Sequence, residues 1–144
     1  MRDCKLSRAQ RGTTAVEFAV CALAMVLIVV GFVEFGRLVW TSEVLQEAAS
    51  KGARCMGLRA NSCAAAGAYS SANTTAYVVS QATAAGVVIT PATVSLSNVA
   101  ACGGAAGFSQ VSIKYKFTTV APGLIAVLAN GFTLSVSACF PNNT

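Results

Sequence analysis

The sequence has no histidine, and none of its five acidic residues lies beyond Glu47. Between residues 60 and 144 the only charged side chains are Lys114 and Lys116. This part of the chain lacks the usual general acids, general bases and metal ligands, so we expect no enzyme, no metal site and no cofactor. A Ser/Lys pair built on Ser112 ranks last, because both lysines fit the solvated face of a strand. Two isolated lysines also disfavour nucleic-acid binding.

The first 33 residues predict a single membrane-spanning helix behind a basic leader. Residues 13–33 carry one charge, Glu17, and a helix of that length crosses a hydrocarbon core of about 30 Å. By the positive-inside rule the leader predicts a cytoplasmic N-terminus, with residues 57–144 as an extracytoplasmic domain. No small-x-small cleavage site follows the apolar run, so we expect it to remain in the mature protein. The basic residues of the leader are Arg2, Lys5, Arg8 and Arg11, against Asp3 alone.

Helical periodicity continues beyond the apolar run and predicts one long helix over residues 13–56. The charged side chains of its second half lie mostly away from the apolar stripe. A second helix is predicted in "TTAYVVSQATAAG", with Thr74 or Thr75 as its N-cap and Gly86 as its stop. A third, short helix is predicted over residues 122–130, opened by Pro122. The stripe of the long helix consists of Leu38, Leu45, Ala49, Gly52 and Met56.

Strict alternation of apolar and polar residues predicts three strands in the C-terminal part. The strands are "TVSLS", "QVSIKYKF" and "FTLSVSACF", the last with its apolar side chains from Phe132 to Phe140 facing inward. They form a small antiparallel sheet with one apolar face, and the stripe of the long helix is the nearest cover for that face. The predicted fold class is α+β and pilin-like, with a long N-terminal transmembrane helix packed on a sheet of about three strands.

The four cysteines after the membrane helix predict two disulfides in an oxidising compartment. Their spacing lacks the C-x2-C pairs that structural zinc sites usually show. Among the three possible connectivities we favour Cys55–Cys63 and Cys102–Cys139. Cys102 follows the first strand and Cys139 ends the third, which in a three-strand meander brings them to the same edge. Cys21 fits a small apolar residue within the membrane helix.

Glu17 and the residues around it carry a family resemblance. Taken alone, a carboxylate near the start of a membrane helix is explained by snorkelling to the headgroups or by the helix dipole. However, "RG" followed by "TTAVEF" resembles the class III signal of type IV pilins and pseudopilins. Together with "GFVEFGR", "AASKGAR" and the terminal "VSIKYKF...APGLIAVLANGFTLSVSA", it resembles the TadE-like family of tight-adherence (Flp) pilus systems.

The resemblance implies a minor pilin or pseudopilin of the bacterial inner membrane. A prepilin peptidase would cut the leader, residues 1–12, after Gly12 and leave Thr13 as the new N-terminus. Glu17, the fifth mature residue, would then pair with the α-amine of an adjacent subunit, with Phe18 beside it in the assembly contact. The implied partners are that peptidase, other pilin and pseudopilin subunits, the inner-membrane assembly platform and the lipid bilayer.

Glu34 and Arg37 lie three residues apart at the outer end of the apolar run. An ordinary i,i+3 surface pair is favoured, and a contact with a neighbouring subunit is the alternative. At the level of function, the alternative to a pilus subunit is a membrane-anchored adhesin or binding module that never joins a filament. Such a module would not depend on the peptidase or on Glu17.

Overall fold

The computed structural model describes residues 7–120 and 131–142, with side chains from Thr14 onward. Residues 1–6 of the predicted leader and the predicted short helix over 122–130 lie outside the described residues. The elements in chain order are helix α1 (Ser7–Gly57), strands β1 (Ala64–Ala65) and β2 (Ala68–Tyr69), helix α2 (Ser71–Ala84), a 3-10 turn (Pro91–Thr93), and strands β3 (Val94–Cys102), β4 (Ala105–Phe117) and β5 (Phe132–Pro141).

Helix α1 runs without a break for 51 residues, because no proline falls within it. It begins at Ser7, six residues before the predicted start, and ends at Gly57. Its end is a Schellman motif, in which Ala60 N–H donates to the carbonyl of Cys55 and Arg59 N–H to that of Met56. Arg59 occupies the left-handed position of this motif, with φ of 51°, where glycine is usual. The residue whose left-handed conformation ends the helix is therefore Arg59 and not Gly57.

Strands β3, β4 and β5 form an antiparallel sheet in the order β3-β4-β5. The predicted alternation is present in β4, where Val111, Ile113 and Phe117 are buried and both lysines are exposed. Helix α1 packs across β4 and β5, so the predicted α+β class is confirmed. Phe132 differs from the prediction: it is 49% exposed, although Phe117, its partner at the last rung of the sheet, is buried.

The core lies between the second half of α1, the sheet and α2. The predicted stripe residues Leu45, Ala49 and Met56 are buried in it, and Leu38 packs at its margin. Gly52, the remaining stripe residue, is needed for close approach, because a Cβ at this position would collide with the Val78 side chain of α2 and contact Val111 of β4 at 3.4 Å. Because Gly52 has no side chain, α1 packs closely against both α2 and β4 at this position along its axis.

The N-cap of α2 lies four residues before Thr74, the first of the two predicted caps. Ser70 is the N-cap, and its hydroxyl accepts a hydrogen bond from Asn73 N–H at 3.3 Å. Thr74, one of the predicted caps, is fully buried, and its hydroxyl donates to the Ser70 carbonyl at 2.8 Å. The prediction was wrong because "SSANTT" contains several residues that can cap a helix.

The two disulfides of the structure, Cys55–Cys63 and Cys102–Cys139, have the connectivity favoured from the sequence. The first ties the end of α1 to the loop that enters β1. The second links the two edge strands β3 and β5, with 6.5 Å between the Cα atoms. Strands on either side of a central strand normally lie about 9.6 Å apart. Register shifts between Ser97 and Cys102 accompany the shorter distance, since bulges bend the end of a strand.

Gly52→Val is expected to destabilise the protein, because the added side chain overlaps Val78 and Val111 in a packed core. Overpacking of this kind costs about 1–3 kcal/mol. Gly36→Val is the matched control on the same helix, since a Cβ there has no atom within 4 Å, and its effect should stay within about 0.5 kcal/mol. Thermal unfolding of the detergent-purified protein, followed by near-UV circular dichroism, measures both changes. Equal effects of the two substitutions would show that Gly52 is not a close-approach position.

Candidate assembly surface

The first half of α1 presents an apolar surface that no other described part of the chain covers. None of the residues in its most apolar stretch is buried, and Phe18 and Phe32 are 74% and 72% exposed. Among the described residues, α1 is the one helix long and apolar enough to cross a membrane. Exposed apolar surface of this extent indicates contact with lipid or with other apolar helices rather than water.

Glu17 lies on this apolar part of α1 and is exposed, as are Val16 and Phe18 on either side of it. Among the described side chains, Glu17 forms no ion pair. Gly12 and Thr13 lie one helical turn before it in the α1 backbone, so the Gly12–Thr13 bond is a helical one in the uncut chain. The structure thus places the three positions along a single helix, with the carboxylate directed outward from the protein.

Glu34 and Arg37 form an ion pair, with 2.7 Å between Arg37 Nη1 and Glu34 Oε1. The pair is not the ordinary surface pair favoured from the sequence, because the Glu34 side chain is only 4% exposed. Arg37 also lies over the Phe117 ring, 5.4 Å from its centroid, at the end of β4. Sequence spacing could predict the pair but not its burial, which depends on where the chain passes after β4.

Arg37 pairs with Oε1 of the Glu34 carboxylate, whereas the buried Oε2 has no hydrogen-bond partner at bonding distance among the described residues. Burial alone raises the pKa of the Glu34 carboxyl, but hydrogen bonding from the Thr119 hydroxyl and from Arg37, the positive charge of Arg37 and the Val120 N–H together lower it below its usual value near 4.5. Glu34 is therefore held as a carboxylate between α1 and the segment that leaves β4. This contact fixes how the end of the sheet nearest the apolar half of α1 meets the helix.

A cleft of about 550 Å³ lies between the end of α1 and the sheet. Its polar groups bond to one another: Asn142 Nδ2 donates to the main-chain carbonyl of Asn98 at 2.7 Å, and the buried Ser109 hydroxyl donates to Asn142 Oδ1. These bonds join β3 and β4 to the residue that follows β5. In the described part of the chain, no group of three His, Cys, Asp or Glu side chains could hold a metal ion.

Glu34→Gln is expected to remove an acid-dependent part of the stability. Because the folded pKa of Glu34 lies below the unfolded one, its contribution is fully present above about pH 5 and is lost as the pH falls through the lowered folded pKa. The free energy of unfolding between pH 7 and pH 3 should therefore fall less steeply in this variant. The exposed Glu47→Gln is the matched control, and an identical slope in both variants would contradict the role of Glu34.

The comparison with known families agrees with the geometry of α1. Residues 12–54 match the family model described as TadE-like protein. No curated protein and no solved structure matches the chain. The matched segment contains Glu17 and the Glu34–Arg37 pair, and it ends within the part of α1 that packs on the sheet. The resemblance seen in the sequence is therefore confirmed over residues 12–54, which match the TadE-like family model.

Proposed function

We propose that this protein is a minor pilin or pseudopilin that acts as a structural subunit in assembly of a tight-adherence pilus. It is held in the inner membrane by residues 13–33, with its N-terminus in the cytoplasm and its α+β domain outside. A prepilin peptidase removes residues 1–12, and the mature chain joins other pilin subunits at the assembly platform. The TadE-like match supports an association with a tight-adherence pilus in general terms.

One observation carries the proposal: the other described residues leave the apolar half of α1 uncovered, yet this half continues without a break into a half that is packed in a core. The apolar half of such a helix can leave the lipid and pack among the apolar halves of other subunits. The outer domain, which is built on the other half, need not refold. The two disulfides support an outer domain in an oxidising compartment, since such bonds persist there. Membrane anchoring and filament packing then use the same surface.

Glu17 supplies the chemistry that would make this packing specific. A carboxylate at the centre of a bilayer costs roughly 2.5–3.5 kcal/mol on insertion scales, and less near the interface. Cleavage after Gly12 creates an α-ammonium group on Thr13, four residues before Glu17. In an apolar surrounding, a subunit that pairs its Glu17 with that ammonium group on a neighbour satisfies both charges, and Phe18 packs beside them. This pairing sets the axial stagger between neighbours.

Cleavage after Gly12 is expected to produce a mature chain that begins at Thr13. Gly12→Leu should block the cut, because a large side chain replaces the small residue before the scissile bond, whereas Gly31→Ala on the same helix should leave it unchanged. Intact mass and N-terminal sequencing of membrane-purified protein, with and without the peptidase, measure the outcome. A wild-type chain that retains residues 1–12 in the presence of the peptidase would overturn the proposed maturation.

Glu17→Ala is expected to leave cleavage intact but to reduce incorporation into fibres by at least about tenfold, since loss of a charge pair in an apolar contact costs several kcal/mol. Cys21→Ser, one turn further along the same exposed segment, is the matched control. The measurement is the ratio of protein in sheared fibres to protein in membranes. Normal incorporation of the Glu17 variant would contradict the pairing, and absence of the wild-type chain from fibres would favour an anchored binding module.

A further inference from the structure

Two oppositely charged faces lie on opposite sides of the outer domain. On β4, Lys114 and Lys116 are exposed and point away from α1, beside Ser135 and Thr133 of the paired strand β5. On α1, the side turned away from the sheet carries Trp40, Glu43 and Glu47, and the Trp40 side chain is 64% exposed. We call the first the lysine face and the second the acidic helix face.

Glu34 and Glu47 are neutralised within the described residues, but Glu43 is not. Glu34 is buried with Arg37, and Glu47 pairs with Lys51 at 2.8 Å on the surface. Neither Glu43 nor the two lysines of the lysine face takes part in an ion pair among the described side chains. The exposed carboxylates described outside the apolar run are therefore confined to the acidic helix face, while the polar side of the sheet carries only positive charge.

The two faces lie at the same distance from the membrane. Arg37 of α1 is level with Phe117 of β4, and Gly52 is level with Val111, so the strand and the helix run antiparallel. Between these two levels the helix rises about 22 Å and the strand about 20 Å. By interpolation Lys116 is level with about residue 40, and Lys114 with a point between residues 43 and 47. A neighbour anchored at the same depth thus presents its lysine face at the height of the acidic helix face.

We propose that the acidic helix face of one subunit docks on the lysine face of a second copy of this chain in the same membrane. Lys116 of the second copy lies over the exposed Trp40 indole, the strongest cation–π acceptor among side chains, and Lys114 pairs with Glu43. The inference rests on the proposed membrane anchoring by residues 13–33. It adds the outer-domain contact through which anchored subunits associate side by side.

The contact is head-to-tail rather than two-fold, because the two faces lie on opposite sides of one subunit. A dimer therefore retains one free lysine face and one free acidic helix face, so the association continues into rows or closed rings. Exposed charge pairs are individually weak, and this suits a reversible contact. Anchoring in a common membrane raises the effective concentration of the faces and lets a weak contact populate assemblies.

Cysteine cross-linking of the full-length protein in native membranes tests the contact. Glu47→Cys with Ser135→Cys, in a Cys4→Ser and Cys21→Ser background, places one free thiol on each face and leaves Trp40, Glu43 and both lysines in place. Mild oxidation is expected to give a ladder of dimers, trimers and larger species, whereas each single-cysteine variant gives none. Glu47→Cys with Ala76→Cys, on the exposed side of α2, is the matched control and should give no ladder.

Charge reversal then separates this contact from chance collision. Glu43→Lys or Lys114→Glu should reduce the ladder about tenfold, since like charges then face each other. Combining these two substitutions should restore it, because the charge pair is then re-formed with its signs exchanged. A membrane-anchored protein without a ladder, or a single-cysteine variant that forms dimers, would overturn the head-to-tail contact alone. A chain absent from the membrane fraction would overturn both this inference and the proposed function.

Discussion

The structure depends on one uninterrupted helix that must satisfy two different surroundings. The first half of α1 is apolar on all sides and has no described protein cover, while the second half is apolar on a single stripe. Because the backbone hydrogen bonds of a helix are internal, the same element can leave an apolar medium and enter a protein core without leaving polar groups unpaired. The sheet, α2 and both disulfides are arranged around the second half alone.

The domain formed by the second half of α1, α2 and the sheet compensates for its small size by close packing and covalent links. Small residues along α1, Ala48, Ala49, Gly52 and Ala53, allow the sheet and α2 to approach the helix at the same level. The Cys102–Cys139 bond joins strands that share no ladder hydrogen bonds, and Cys55–Cys63 holds the chain where α1 ends. Disulfide bonds reduce the conformational entropy of the unfolded chain. This stabilises a domain whose core is too small to do so by burial alone.

Much of the fold could be predicted because the relevant patterns are local. The lack of proline before Pro91 and the stripe from Leu38 to Met56 predict a single long helix, and strict alternation in β4 predicts which side chains face the core. The start of α2 was missed for an equally local reason, since several residues of "SSANTT" can cap a helix. The candidate assembly residues were found through the "RGTTAVEF" resemblance, because no periodicity distinguishes a functional carboxylate from one that snorkels.

The sequence by itself determined the two halves of α1, the alternation of the strands and the proposed processing position, because each is encoded by neighbouring residues. Only the tertiary structure decided that Glu34 is buried beneath the chain that leaves β4, and that Gly52 is a contact point rather than a weak position in a helix. It also decided that Lys114 and Glu43, 71 positions apart in the sequence, lie at one height on opposite faces. These relations follow from antiparallel packing of β4 on α1. A pattern of neighbouring residues in the sequence does not determine how two such elements align.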